Sequence, residues 1–83
     1  MLKNTQNKKG LTIGLPCFNE EKIIYKVIAD CVKILTKNFD NWELIIVDNK
    51  SSDFTTSIAE KKILTFKKNI QKNIKLIKNK KNI

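Results

Sequence analysis

Two short apolar runs, separated by a stretch of helical periodicity, constrain the fold of this chain more than any other feature. The first run covers residues 11–15 and ends at Pro16, which cannot donate to a central ladder. The second run covers residues 42–47, is rich in β-branched residues and ends at Asp48. A near-continuous apolar run of this length is typical of a strand covered on both faces, as in a parallel sheet. We therefore predict two parallel strands joined by a helix.

The segment between the two runs has the pattern of an amphipathic helix. Asn19 is predicted to cap its N-terminus, Glu20 and Glu21 follow where the helix dipole favours negative charge, and Asn38 is predicted to end it. The apolar stripe consists of Ile23, Ile24, Val27, Ile28, Cys31, Val32, Ile34 and Leu35.

The second half of the chain repeats the alternation of strand and helix. Asp53 is predicted to cap a helix that runs from Phe54 to about Lys68, and a third strand is predicted over residues 74–78. The order β-α-β-α-β implies a three-layer α/β fold with a parallel sheet and right-handed crossovers. Such a unit is half of a doubly wound nucleotide-binding fold.

Length and composition limit the classes of function. We predict that the polar residues 1–9 are disordered and that residues 10–83 form one small domain. The chain has no His and all 17 of its basic residues are Lys, which excludes imidazole bases, histidine metal sites and guanidinium forks. Two cysteines, Cys17 and Cys31, do not make a disulfide framework, so a reducing, cytoplasmic location is expected. No apolar run approaches the ~20 residues of a membrane span.

The net charge of +9 comes from one segment. Residues 1–60 contain eight Lys and eight acidic residues, whereas residues 61–83 contain nine Lys and no acid. Such a block is typical either of a small module that binds nucleic acid or an anionic surface, or of a solvated helix face and strand edge. The solvated face is favoured by apolar residues at helical spacing in and beside the block, namely Ala59, Ile63, Phe66 and Ile70.

Two predicted loops carry the candidate functional residues. Ligands bind at the carboxyl ends of the strands in a fold of this kind, where the first strand leads into Phe18 and Glu20 and the second into Asp48. If the two strands are neighbours, an aromatic ring, a helix N-terminus and two carboxylates converge. Such a pocket could hold a base and a ribose, because the base packs on apolar atoms while a carboxylate accepts its hydrogen bonds.

The residues of these loops match a family pattern. The segment LPCFNEE at residues 15–21, followed after one helix by IIVDNKSSDFT at residues 45–55, resembles the N-terminal half of family 2 glycosyltransferases. The resemblance covers residues 10–83. It implies the Rossmann-like nucleotide-binding half of a GT-A fold, and the transfer of a sugar from a nucleotide-diphosphate sugar to an acceptor.

The resemblance also implies roles for individual residues. Pro16 and Phe18 would flank the nucleobase and Glu20 would lie near the nucleotide. Asp48 would bind the base or the ribose. Each has a structural alternative: a strand end for Pro16, ordinary core for Phe18 and a helix-dipole partner for Glu20. For Asp48 the alternative is a cap on the following turn. Lys50 stands where the family has Gly; it carries a penalty if the turn needs a positive φ, and it could instead approach the diphosphate.

The chain departs from the family most in what it does not contain. The full-length family is expected to hold Mg²⁺ or Mn²⁺ with an Asp-x-Asp motif, which does not occur in residues 1–83. We therefore expect no cofactor in this fragment and no sugar transfer by the chain alone. We interpret it as a truncated domain with part of a donor subsite, which a second chain could complete. A non-functional truncated gene product is the other alternative. Members of the family often act at the cytoplasmic face of a membrane.

Overall fold

The computed structural model describes residues 10–79, so the predicted disorder of residues 1–9 lies outside the described residues. The elements are β1 (Leu11–Cys17), α1 (Ile24–Asn38), β2 (Trp42–Asp48), α2 (Thr55–Leu64), α3 (Lys68–Gln71) and β3 (Ile74–Lys78). The strands form one parallel sheet in the order β1-β2-β3. The predicted α/β fold, with a parallel sheet and helices between the strands, is confirmed.

The hydrophobic core lies between one face of the sheet and the helices α1 and α2. Alternate side chains of each strand point to this face, because successive residues of a strand face opposite sides. The core contains Cys17, Ile24, Ile28, Val32, Leu35, Trp42, Leu44, Ile46, Ala59 and Ile74. Ile23 and Ile34, which the sequence pattern placed on the buried stripe of α1, are instead 52% and 57% exposed.

The opposite face of the sheet, which we call the open face, is not covered by any part of residues 10–79. A Cβ atom added at Gly14 would meet no other atom within 4 Å, and Ile77 is 45% exposed. Two right-handed crossovers that progress in the same direction place both helices on the same side of a sheet. The described residues therefore form two layers and not the predicted three, and the prediction that residues 42–47 are covered on both faces is not met by them.

The end of β1 differs from its predicted position. β1 continues through Pro16 to Cys17. The backbone N–H of Leu11 and the carbonyl of Cys17 face β2. Because successive residues of a strand direct their backbone groups to opposite sides, the nitrogen of Pro16 lies on the outer side of β1, where proline is tolerated.

The predicted second helix is interrupted. α2 ends at Leu64 and α3 begins at Lys68. The Thr65 hydroxyl donates to the Lys62 carbonyl at 2.6 Å, a local hydrogen bond that competes with continuation of the helix.

Candidate functional site

The loops that follow β1 and β2 open at the same edge of the sheet. Cys17, the last residue of β1, is the register partner of Asp48, the last residue of β2. The backbone N–H of Asn49 donates to the Cys17 carbonyl at 3.0 Å. Loop 1 (residues 18–23) and loop 2 (residues 49–54) therefore start side by side.

The five predicted site residues all lie at this edge, with different exposures. Phe18 is 43% exposed, so its ring is not an ordinary core side chain, whereas Asp48 is only 3% exposed. Pro16 and Lys50 are exposed and Glu20 is half-buried. The edge therefore presents one aromatic ring, one lysine and one partly accessible carboxylate to solvent, with a second carboxylate beneath them.

Asp48 caps the turn that follows β2. Its Oδ1 accepts hydrogen bonds from the Ser51 hydroxyl at 2.5 Å and the Cys17 thiol at 3.8 Å. Its Oδ2 accepts from the Ser51 backbone N–H at 3.2 Å and the Thr56 hydroxyl at 2.8 Å. These four donors match the four acceptor positions of a carboxylate. The capping role is therefore present, while the role in binding a base or ribose stays a prediction.

The hydrogen bonds also decide the charge of Asp48. Burial alone would raise the pKa of this carboxyl group, but the hydrogen bonds from Ser51, Thr56 and Cys17 outweigh it and hold the pKa below the usual 3.8. Burial, followed by the nearby charges of Asp48 and Glu20, raises the pKa of Cys17 to about 11. The thiol is thus protonated at neutral pH and able to donate to the ionised Asp48.

Several side chains join the two loops directly, and we call three of them the cross-loop latch (Asn19, Ser51 and Ser52). The backbone N–H of Asn19 donates to the Ser51 hydroxyl at 3.0 Å. In return, Asn19 Oδ1 accepts from the backbone N–H of Ser52 at 2.8 Å and from its hydroxyl at 3.3 Å. Asn19 has a φ of 51°, in the left-handed region that Asn tolerates better than most residues.

The prediction that Asn19 caps α1 is wrong. Its side chain is bonded to loop 2, and α1 begins at Ile24 without a side-chain cap. The carbonyl of Glu20 accepts from the backbone N–H groups of Ile23 and Ile24, so a turn precedes the helix. The sequence favours an N-cap at Asn19 because Asn is a common capping residue, but the partner in the other loop is not visible in a local pattern.

A second set of hydrogen bonds ties loop 1 to the start of α2. The backbone N–H of Glu20 donates to the Thr55 hydroxyl at 2.7 Å, and that of Glu21 donates to Asp53 Oδ2 at 3.3 Å. The Phe54 backbone N–H donates to Glu21 Oε1 at 3.0 Å. Asp53 Oδ1 also accepts from the Thr55 backbone N–H at 2.9 Å. Asp53 therefore bonds both the first residue of α2 and loop 1, although the helix begins at Thr55 with Phe54 and not Asp53 at its N-cap position.

Lys50 occupies the strained position of loop 2. Its φ is 60°, so the turn does require the positive φ that the family's Gly adopts freely. A residue with a Cβ in this region carries a cost of roughly 1–2 kcal/mol. The Ser51 backbone N–H immediately after it is held by Asp48 at 3.2 Å, which keeps the loop in this conformation.

Sequence reasoning did not identify the residues that hold the loops together. Ser51, Thr55 and Thr56 supply hydroxyl groups to bonds that cross between elements. The only local signal is the concentration of Ser, Thr, Asn and Asp in loop 2, which indicated a turn. Which loop each hydroxyl would bond depends on the pairing of β1 with β2.

A shallow pocket lies beside the two loops at the start of α1. It has a volume of about 340 Å³ and is lined by Asn19, Glu20, Glu21, Lys22, Ile23 and Asp53. Within residues 10–79, no group of three or more His, Cys, Asp or Glu side chains is arranged to hold a metal ion. The described residues therefore do not fit the Mg²⁺ or Mn²⁺ expected for the full-length family.

The lysine-rich segment is partly paired within the fold. Lys75 Nζ lies 3.0 Å from Glu43 Oε2, and Lys78 Nζ lies 2.6 Å from Glu60 Oε2. Lys62 Nζ lies 4.4 Å from the centre of the Tyr25 ring and 4.9 Å from that of Phe66, the distances of cation–π contacts. Binding of nucleic acid or an anionic surface gains no support from these contacts. Among the described helices, none has the length and apolar character needed to span a membrane.

An open parallel sheet with helices between its strands defines an α/β protein with a partial Rossmann-like fold. The sequence agrees with this class in more detail. Residues 12–82 match the family described as Glycosyl transferase family 2. Since the match covers most of the chain, the chain belongs to this family, as its resemblance predicted.

Two curated relatives align with part of the chain. It is 38% identical over 68 residues to the uncharacterized protein MJ0544 of Methanocaldococcus jannaschii, which covers 82% of this chain and 25% of that protein. It is 35% identical over 51 residues to the protein RfbJ of Shigella flexneri, which covers 61% of this chain and 36% of that protein. The chain thus spans about a quarter to a third of the length of these relatives. No solved structure matches it significantly.

Proposed function

We propose that residues 10–79 form part of the donor subsite of a family 2 glycosyltransferase, and that this part binds the nucleotide of a nucleotide-diphosphate sugar. One observation carries the proposal: Phe18 and Lys50, both exposed, extend from two loops that are bonded to each other at the carboxyl edge of the sheet. Ligands of doubly wound folds bind at this edge. Membership of the family supports the class of ligand.

The exposed ring of Phe18 is proposed to stack on the nucleobase, with Pro16 beside it. The 43% exposure of Phe18 leaves a ring surface available in the absence of ligand. Stacking of a base on an aromatic side chain contributes roughly 1–3 kcal/mol. Pro16 is the preceding exposed residue of the open face, so it can extend the same apolar surface.

Lys50 and Glu20 are proposed to contact the polar parts of the nucleotide. Lys50 Nζ can act as a point charge towards the diphosphate, which would give the strained residue a function. Glu20 is half-buried and lines the shallow pocket, where its carboxylate can accept hydrogen bonds from ribose hydroxyls.

For Asp48 the proposal is a direct hydrogen bond to the base or ribose, which requires a local exchange of partners. Its four acceptor positions are already taken by Ser51, Thr56 and Cys17. A ligand donor would therefore replace one of these, and the thiol at 3.8 Å is the weakest of them.

Titration of the 83-residue chain with uridine and guanosine diphosphates tests the proposal, with the binding affinity measured by calorimetry. Phe18→Ala is expected to weaken binding about tenfold, which corresponds to ~1.4 kcal/mol. Leu64→Ala is the matched control, because Leu64 is also exposed, at 70%, and lies at the far end of α2. Equal affinities of the wild type and Phe18→Ala would contradict the donor-subsite proposal.

A second comparison distinguishes a specific contact of Lys50 with the diphosphate from a general effect of positive charge. Lys50→Ala is expected to weaken binding of a nucleoside diphosphate more than binding of the free nucleoside. Lys37→Ala, which removes an exposed lysine from the last turn of α1, is expected to change neither. If Lys50→Ala and Lys37→Ala have the same effect, Lys50 has no specific role at the diphosphate.

The transfer of the sugar is proposed for a longer polypeptide or an assembly, and not for residues 10–79 alone. A second chain that covers the open face would complete the domain, and the exposure of Ile77 there supplies apolar surface for it. Assay of the 83-residue chain with Mn²⁺ and labelled donor is expected to show no transfer. Transfer by this chain alone would refute this part of the proposal.

A further inference from the structure

We infer that Asn19 and Ser51 are positioning residues, which set the separation of Phe18 from Lys50 and so determine nucleotide affinity through the hydrogen bonds that join the two loops. The inference rests on the proposed function of these two ligand residues. It concerns different atoms, namely the Asn19 and Ser51 groups that bond the two loops to each other.

The latch acts on the peptide units that directly follow the two ligand residues. The N–H of Asn19 belongs to the peptide that begins with the Phe18 carbonyl, and it donates to the Ser51 hydroxyl at 3.0 Å. The N–H of Ser51 belongs to the peptide that begins with the Lys50 carbonyl, and it donates to Asp48 at 3.2 Å. The backbone of each ligand residue is therefore held by a hydrogen bond to the N–H group of the next residue.

The Ser51 hydroxyl is the centre of this arrangement. It accepts from Asn19 and donates to Asp48 Oδ1 at 2.5 Å. Loop 1 is thereby connected through Ser51 to a buried carboxylate at the end of β2, which is a rigid element of the sheet. A hydrogen bond to a charged acceptor is stronger than one between neutral groups, so Ser51 has a well-defined orientation.

The backbone conformations of both loops support the same inference. Asn19 and Lys50 have φ values of 51° and 60° and are the two non-glycine residues with positive φ within residues 10–79. Their conformations are costly, and each is next to a latch hydrogen bond that holds it. Loss of the latch would let the backbone at Asn19 and Lys50 relax to other conformations and so change the separation of Phe18 from Lys50.

Substitutions at Asn19 separate positioning from backbone strain. Asn19→Gly removes the Oδ1 acceptor but adopts a positive φ without cost. Asn19→Asp keeps an oxygen for Ser52 and also tolerates this φ. We expect Asn19→Gly to weaken uridine or guanosine diphosphate binding about tenfold, equivalent to ~1.4 kcal/mol, and Asn19→Asp to retain most of the affinity.

Ser51 offers an independent pair of variants. Ser51→Ala removes the central hydroxyl and is expected to weaken binding, whereas Ser51→Thr retains a hydroxyl and is expected to rescue it. Unfolding by urea is measured for every variant. The inference requires that affinity falls in variants that stay folded, and that the loss exceeds what a change in the folded fraction explains.

Amide hydrogen exchange distinguishes failure of the inference from failure of the proposed function. In the ligand-free chain, Asn19→Gly is expected to accelerate exchange of the Ser52 amide, which donates to Asn19 Oδ1, while the Leu44 amide in β2 stays protected. Unchanged exchange at Ser52, or unchanged affinity in both Asn19→Gly and Ser51→Ala, would overturn the inference. If exchange changes but neither the wild type nor Phe18→Ala binds nucleotide, the latch exists and the proposed function fails, which also removes its role in affinity.

Discussion

Cys17 and Asp48 are the last register partners of β1 and β2, and the Cys17 thiol donates to Asp48 Oδ1 at 3.8 Å. Both side chains are 3% exposed. A protonated thiol and an ionised carboxylate therefore meet where the core ends and the loops begin. The pair links the apolar interior to the polar network of the candidate site.

The first prediction concerns the reactivity of the two thiols. With a pKa of about 11, only roughly one Cys17 thiol in a thousand is ionised at pH 8. Cys17 is buried, whereas Cys31 is half-buried. Each thiol is measured in a folded variant that lacks the other: Cys31 in Cys17→Ser and Cys17 in Cys31→Ser. A disulfide reagent at pH 8 should label Cys31 faster than Cys17. The two rates should converge in guanidinium chloride. Faster labelling of native Cys17 would show that this edge is open.

The second prediction concerns the stability contributed by the Asp48 carboxylate. Asp48→Asn replaces one acceptor oxygen by an amide NH2 group, which donates and cannot accept, so the donors of Ser51 and Thr56 lose an acceptor. We expect the free energy of unfolding to fall by about 1.5–3 kcal/mol, the range for hydrogen bonds to charged groups. Urea denaturation measures it. Asp40→Asn, at an exposed carboxylate, removes the same charge and should have little effect; a similar loss in both variants would contradict the capping role.

The third prediction is the pH dependence that follows from Asp48. Its folded-state pKa lies below the usual 3.8, so the unfolded chain binds the proton more readily. The stabilisation is complete above pH ~4 to 5 and is lost as the pH falls through the folded pKa. Urea midpoints between pH 6 and pH 2.5 should show this loss, and Asp48→Asn should have a shallower acid dependence. Parallel curves for the two proteins would contradict the lowered pKa.

The fourth prediction concerns the positive φ of Lys50. Lys50→Gly should raise the free energy of unfolding by about 0.5–1 kcal/mol, because relief of the Cβ strain exceeds the greater freedom of Gly in the unfolded chain. Lys50→Ala keeps a Cβ and removes the same charge, so it should give no such gain. Thermal or urea unfolding compares the two variants. Equal stabilities would mean that the loop does not hold residue 50 at a φ near 60°.

The fifth prediction tests the open face of the sheet. An added Cβ at Gly14 meets no atom within 4 Å, and Gly within a strand is less stable than Ala by roughly 0.5–1 kcal/mol. Gly14→Ala should therefore stabilise the 83-residue chain by this amount. Destabilisation would show that a second copy or another segment already packs against this face, and sedimentation of the wild type at several concentrations would identify self-association.

Much of the fold was predictable from local sequence. The helical spacing of Ile24, Ile28, Val32 and Leu35 and the apolar run of β2 determine one amphipathic helix and one buried strand, because burial of apolar surface follows the period of each element. The motif at residues 15–21 together with that at residues 45–55 was sufficient to predict the family.

Other features depend on tertiary structure. Whether β2 is covered on one face or two depends on the direction of the crossovers, and the two faces of an apolar run look alike in sequence. Pro16 is tolerated inside β1 because its nitrogen lies on the outer side of that strand. This depends on which residues of β1 direct their N–H groups towards β2.

The candidate site shows the same division. The sequence by itself determined which residues stand at the two strand ends, including Phe18 and Asp48, since strand and turn signals are local. Only the tertiary structure decided that Asn19 bonds across to Ser52, that Ser51 joins both loops, and that Asp48 is enclosed by donors. These partners are more than 30 residues apart in some cases, and hydrogen bonds are short-ranged and directional. Their pairing therefore exists only once β1 and β2 are aligned in register.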